Sequence, residues 1–149
     1  MDAVCLHIPG LLTNSCYHDY WQLLTNGQIF QLSSSGLITI GSHARWHTNL
    51  ANIHPALAQE EIDQSISHLQ DITRKPIHSL AFPDGSYNNG IIQHCIKKGI
   101  TQLLGSHYVF SKSFPKTILQ HRLGIYPCSM EQLKIAINEY DGMLSKDSC

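Results

Sequence analysis

His43 and His47 stand four residues apart in "GSHARWH" (41–47). Imidazole nitrogens are ligands for divalent ions, and two of them one helical turn apart can face the same ion. A catalytic zinc site keeps three protein ligands and leaves one position for water, whose acidity the ion raises. The pair therefore supplies part of a coordination shell, and a third ligand, ordinarily a carboxylate, must come from elsewhere. Ten histidines in 149 residues predict roughly one such pairing by chance. The competing reading is structural, with His43 donating to a backbone carbonyl and His47 in solvent. Trp46, between them, is either a groove wall or core. The surroundings have to decide.

The elements that would position the pair can be read from periodicity. "LITI" (37–40) reads as a strand that delivers "GSHARWH" at its C-terminal end. Before it, Asn26 can cap a helix running to about Ser34 and stopped at Gly36. After it, Pro55 suits the first turn of a helix. Ala58, Ile62, Ile66 and Leu69 then recur at helical spacing, with Glu60, Glu61, Asp63 and Gln64 elsewhere on the wheel, until about Lys75-Pro76. "IHSLAF" (77–82) is a strand leading into the turn-rich "PDGSYNNG", and residues 91–98 form a helix ended by Gly99. "ITQLLG" and "ILQHRLGIY" are strand-like, and Ser129 with Gln132 makes a capping box for a last helix to about Tyr140. Upstream, "AVCLHI" (3–8) reads as a buried strand and "YHDYWQLL" as a helical turn. Strand and helix alternate with short links, which predicts an α/β fold with a mainly parallel sheet or barrel in one domain, 1–149. Ligands of such folds collect outside the C-terminal strand ends, where both "GSHARWH" and "PDGSYN" fall.

Composition narrows the function classes. The chain is 42% hydrophobic and 14% charged with a formal net charge of −1, so it can build a core. Its ten Lys and Arg are scattered, leaving no electrostatic footprint for nucleic acid. No apolar run approaches the roughly 20 residues of a spanning helix. "MDAVCLHIPGLL" carries Asp2 and His7 without a basic start, so no signal peptide is expected, and no compartment is assigned. Cys5, Cys16, Cys95, Cys128 and Cys149 are odd in number and include no C-x-x-C pair. Neither a disulfide framework nor a thiolate zinc site follows, and Cys5 and Cys95 read as small core hydrophobes.

The ordered run "QIFQLSSSGLITIGSHARWHTNL", then "EEIDQSISHLQDIT", then "SLAFPDGSYN" closely resembles the polysaccharide deacetylase family over about residues 26–100. These are metal-dependent hydrolases that remove acetyl groups from N-acetylated sugar polymers. The resemblance implies a distorted (β/α) barrel, a divalent metal such as zinc, and an N-acetylated glycan as substrate. It assigns the metal ligands to His43 and His47, with Ser42 as the small polar residue before them. A groove wall is implied at Pro83, Gly85, Tyr87 and Asn88, with Trp46 also facing substrate. Asp84 holds the position whose backbone N–H meets the developing oxyanion in the family.

The pattern departs from the family in three places. The family's opening Asp-Asp motif, source of the base and the third ligand, has no match; aligned on the later motifs, the chain starts at the family's second strand, "AVCLHI". Both carboxylates are therefore expected upstream of Met1, and the barrel is expected to lack its first strand and helix. Ala81 stands where many members carry an arginine. The acid histidine of a Leu-x-His motif falls on His121 in "LQH", although a second alignment makes Arg122 the matching residue. Asp84 is the substitute ligand or base closest to the rim, against its ordinary reading as a turn residue before glycine. His7 offers a similar choice between site and core. An incomplete barrel should cover its open edge by self-association, a partner or rearrangement. Weak metal affinity and little turnover are expected of this chain alone. The alternative is an inactive relative that binds carbohydrate or another partner.

Overall fold

The computed structural model describes residues 23–106, 118–122, 129–135 and 137–138. The readings of "AVCLHI" and His7, that of "YHDYWQLL" apart from its last two residues, and four of the five cysteines lie outside the described residues.

Helix α1 spans Asn26–Ser34, and its cap is Thr25 rather than the expected Asn26. Thr25 Oγ1 accepts from the Gln28 amide at 3.3 Å, while Gln28 Oε1 accepts from the Thr25 amide at 2.8 Å. This reciprocal box satisfies two amides that the first turn leaves open. Helix α2, Pro55–Thr73, starts with proline at its first position. His54 caps it by accepting the Ala56 amide on Nδ1 at 3.3 Å. Ala58, Ile62 and Ile66 are buried along one stripe, as their spacing predicts. Helix α3, Asn89–Lys97, buries Ile91, Ile92 and Cys95 and is capped by the Asn88 side chain. Ser129 and Gln132 form the expected capping box at 2.9 and 3.2 Å, before helical residues 130–135 and 137–138.

Strands β1 (Ser79–Ala81), β2 (Gln102–Ser106) and β3 (Leu119–Arg122) form a parallel sheet in that order. Leu80 pairs with Leu103, and Gly105 with His121. Helix α3 makes the crossover from β1 to β2 that a parallel pair requires. On the far side of β1, Ser42 forms a single parallel bridge to Leu80. Its amide donates to Ser79 O and its carbonyl accepts from Ala81 N, both at 2.9 Å.

The expected strand 37–40 is not formed, because the three residues of β1 offer the approaching chain only this one place to pair. Leu37 is left 91% exposed. The strand read in "ILQHRLGIY" is limited, within the described residues, to Leu119–Arg122. The architecture is thus α/β with a parallel sheet, and the described strands form an open sheet rather than a closed barrel.

The core lies where α2 and α3 meet the sheet, with Ile62, Ile66, Leu80, Phe82, Ile92 and Leu103 in one buried cluster. Cys95 belongs to it, and burial, with Asp63 nearby, pushes its thiol up to about 12. A thiol so protonated is a small core hydrophobe rather than a nucleophile at neutral pH. Among the described residues no helix is long and apolar enough to cross a membrane.

Candidate metal centre

Because Ser42, β1, β2 and β3 run parallel, their C-terminal ends share one rim. That rim collects the histidine loop, the Pro83–Gly85 turn, Ser106 and His121.

His43 follows the bridge directly, and its Nδ1 donates to the carbonyl of Ala81 at 2.8 Å. The carbonyl bond expected of a structural histidine is therefore present, yet it serves the metal reading equally well. With the proton on Nδ1, the lone pair resides on Nε2, and such outer hydrogen bonds orient imidazole ligands in metal sites. The His47 ring lies 4.8 Å from that of His43, centroid to centroid, and nearly perpendicular at 79°. Both residues are exposed.

Their convergence is not helical. Residues 43–49 form a loop in which Ala44 and His47 adopt φ of 60° and 56°. Left-handed backbone costs a non-glycine residue about 1–2 kcal/mol, so the loop needs tethers. Ser42 Oγ, buried, lies 2.9 Å from Ser65 Oγ on α2 and accepts from the Ala44 amide at 3.3 Å. Glu61, also on α2, accepts from Thr48 Oγ1 at 2.5 Å and from the Trp46 amide at 3.4 Å. Trp46 is 63% exposed, which makes it a surface group rather than core. The Arg45 guanidinium lies 4.9 Å from its ring centroid and donates to Gln64. A cleft of about 700 Å³ opens between this loop and α2, lined by His43, Arg45, Trp46, His68 and Asp71 among others.

The turn after β1 is held by shape. Gly85 has φ of 64°, and a Cβ there would lie 2.1 Å from Ser106 Oγ and 2.9 Å from Ser106 N. Only glycine fits, in space and in conformation. The amides of Gly85 and Ser86 bond to the carbonyls of Phe82 and Pro83, each at 3.0 Å. Asp84 is exposed with φ of 54°, a conformation aspartate tolerates. Pro83 is buried, and Tyr87 is 7% exposed, its ring 5.1 Å from Phe82 and 6.5 Å from His121. Pro83 and Tyr87, two of the four residues expected to wall the groove, therefore back the rim from within, because the core claims their apolar surface.

His121 Nδ1 donates to Ser106 O at 2.8 Å, the same carbonyl-locked arrangement as in His43. It stands on β3, however, three strand spacings or about 14 Å across the sheet from Ser42. The structure thus brings His43 and His47 together and leaves His121 apart from them. Asp84 does not join the pair either: among the described residues no three His, Cys, Asp or Glu side chains converge. Ser65 and Glu61 were not singled out by type. The signal was their place, one helical turn apart at the margin of the buried stripe of α2.

Comparison with known proteins follows the same outline. The polysaccharide deacetylase family matches residues 13–103. No curated protein matches the sequence. Among solved structures, a polysaccharide deacetylase from Bacillus cereus, BC0361, is 24% identical with a TM-score of 0.61, covering 81% of this chain and 39% of its own. The Streptococcus pyogenes deacetylase PplD, solved with acetate, is 20% identical with a TM-score of 0.64 and coverages of 85% and 54%. A de-N-acetylase from Aggregatibacter actinomycetemcomitans is 15% identical with a TM-score of 0.58, over 76% and 53%. The chain spans between two-fifths and just over half of these proteins, and at such identities the likeness is one of fold.

Proposed function

We propose, from the premise that this chain belongs to the polysaccharide deacetylase family, that its rim is part of the site of a metal-dependent hydrolase removing acetyl groups from N-acetylated sugar polymers. The observation that carries this reading is the His43–His47 pair, its rings 4.8 Å apart just after the Ser42 bridge to β1, with His43 Nδ1 tied to Ala81 O. Two neutral imidazoles fit two corners of a tetrahedral zinc site, and the donor chemistry favours zinc over harder cations. A bound divalent ion would polarise the acetamide carbonyl and acidify water.

The chain's own residues would do the rest. His43 and His47 hold and orient, their rings fixed by the Ala81 carbonyl and by the loop. The Asp84 N–H is the donor for charge growing on the acyl oxygen. Trp46, exposed beside the cleft, presents a flat apolar face to a sugar ring. Pro83 and Tyr87 stiffen the wall from behind. The role of acid for His121 rests on the family resemblance alone and that of base for Asp84 on its place at the rim, since among the described residues neither side chain joins the histidine pair.

Zinc titration of the whole chain against a chromophoric chelator tests the site. The parent is expected to bind weakly, and His43→Ala and His47→Ala to weaken it at least tenfold each, as loss of a ligand should. Equal affinity in all three would end the proposal. A second reading, glycan binding without turnover, draws on the two converging ligands among the described residues and on exposed Trp46. Incubation with an N-acetylglucosamine oligomer and zinc separates the two readings, since released acetate marks the first and retention without acetate the second.

A further inference from the structure

We propose that Glu61 is the positioning residue for His47, holding the loop that sets the distance between the two imidazoles; this rests on reading His43 and His47 as metal ligands. His47 occupies left-handed backbone at φ 56°, a conformation that something must impose. The carboxylate of Glu61 engages the residues immediately before and after it. Oε2 accepts from the Trp46 amide at 3.4 Å, and Oε1 accepts from Thr48 Oγ1 at 2.5 Å. The second contact is the short, charge-assisted one and supplies most of the hold. Glu61 is half-buried, which reduces the screening that weakens surface contacts.

One helical turn further along α2, Ser65 meets Ser42, the residue before His43. The same face of one rigid helix thus grips both ends of the histidine loop. Neighbouring Glu60 is turned elsewhere, accepting from Gln64 Nε2 at 2.8 Å. Glu61 itself forms no three-ligand group with the pair, so its action runs through the loop.

Zinc affinities of the full chain distinguish this role from others. Glu61→Ala should weaken zinc binding about tenfold, and Glu61→Gln, which keeps one acceptor oxygen, should fall between. Thr48→Val should reproduce part of the loss, and the Glu61→Ala/Thr48→Val double variant should bind no more weakly than Glu61→Ala, since both act through one bond. Glu60→Ala, an equal change of charge one residue away, should bind as the parent does. Parent affinity in Glu61→Ala overturns the proposal. So does an equal loss in Glu60→Ala, which marks bulk charge, or a full loss in Glu61→Ala with none in Thr48→Val, which marks a direct ligand. A parent that binds no zinc is a failure of the underlying metal reading instead. In that event the metal-free chain still decides: Glu61→Ala should move the His47 amide and ring signals in 1H–15N spectra and leave those of His94 in place. Unmoved His47 signals overturn the positioning role.

Discussion

Two neighbouring segments of the rim are held by different physics. The Pro83–Gly85 turn buries Pro83 and Gly85 against β2, is closed by backbone hydrogen bonds, and is shaped so that no Cβ fits at its last residue. The histidine loop, one strand further out, is exposed, carries two non-glycine residues at positive φ, and depends on side chains of α2. The first is fixed by packing, which has no intermediate positions. The second is fixed by a few polar contacts, which a ligand or a single substitution can reset. A rim built this way keeps a rigid wall beside an adjustable pair of imidazoles.

Gly85→Ala puts that contrast under the heaviest load. The added methyl meets Ser106 Oγ at 2.1 Å and the backbone is left-handed, so overpacking and conformational strain together should cost about 3 kcal/mol. Urea unfolding measures it, and a loss below about 1 kcal/mol would show the turn to be as adjustable as the loop. His47 should answer differently. His47→Gly should stay within about 0.5 kcal/mol of the parent, because relief of left-handed strain offsets the added freedom of the unfolded chain. His47→Val, branched at Cβ, should lose about 2 kcal/mol at the same φ. Equal stability for glycine and valine would remove strain from the account of the loop.

The smallest effect lies away from both segments. Asp63 on α2 meets His94 and Lys98 of the α3 end at 2.7 Å each. Burial raises its carboxyl, but hydrogen bonds from Lys98 and His94, with their charges, outweigh that and hold it below the usual aspartate value. A group whose folded pKa is depressed contributes stability that is present above its unfolded pKa and lost as pH falls through the folded one. Asp63→Asn should therefore flatten the acid side of the stability curve without touching zinc affinity. A changed zinc affinity would mean that this cluster reaches the rim.

Much of this was legible in the chain. Ala58, Ile62 and Ile66 repeat at helical spacing and are buried on α2, because a periodic apolar stripe has few ways to leave water. The Ser129–Gln132 box and the stops at Gly36 and Gly99 are local chemistry and read true. The strand expected at 37–40 failed because a strand exists only where a partner offers a ladder, and β1 offers three residues. Trp46 and Tyr87 read alike as groove aromatics, yet one is exposed and the other buried. Side-chain type does not say which neighbours will cover it.

The sequence by itself determined the alternation of strand and helix, the family pattern, and the two histidines four residues apart, though not the strand expected to deliver them. These depend on residue type and short-range spacing. Only the tertiary structure decided that the imidazoles meet through a strained loop rather than a helical turn, that Ala81 O accepts the hydrogen bond from His43 Nδ1, and that Glu61 and Ser65 hold the ends. Those contacts join residues 13 to 38 positions apart, and such pairings follow from how whole elements pack, which no local pattern encodes.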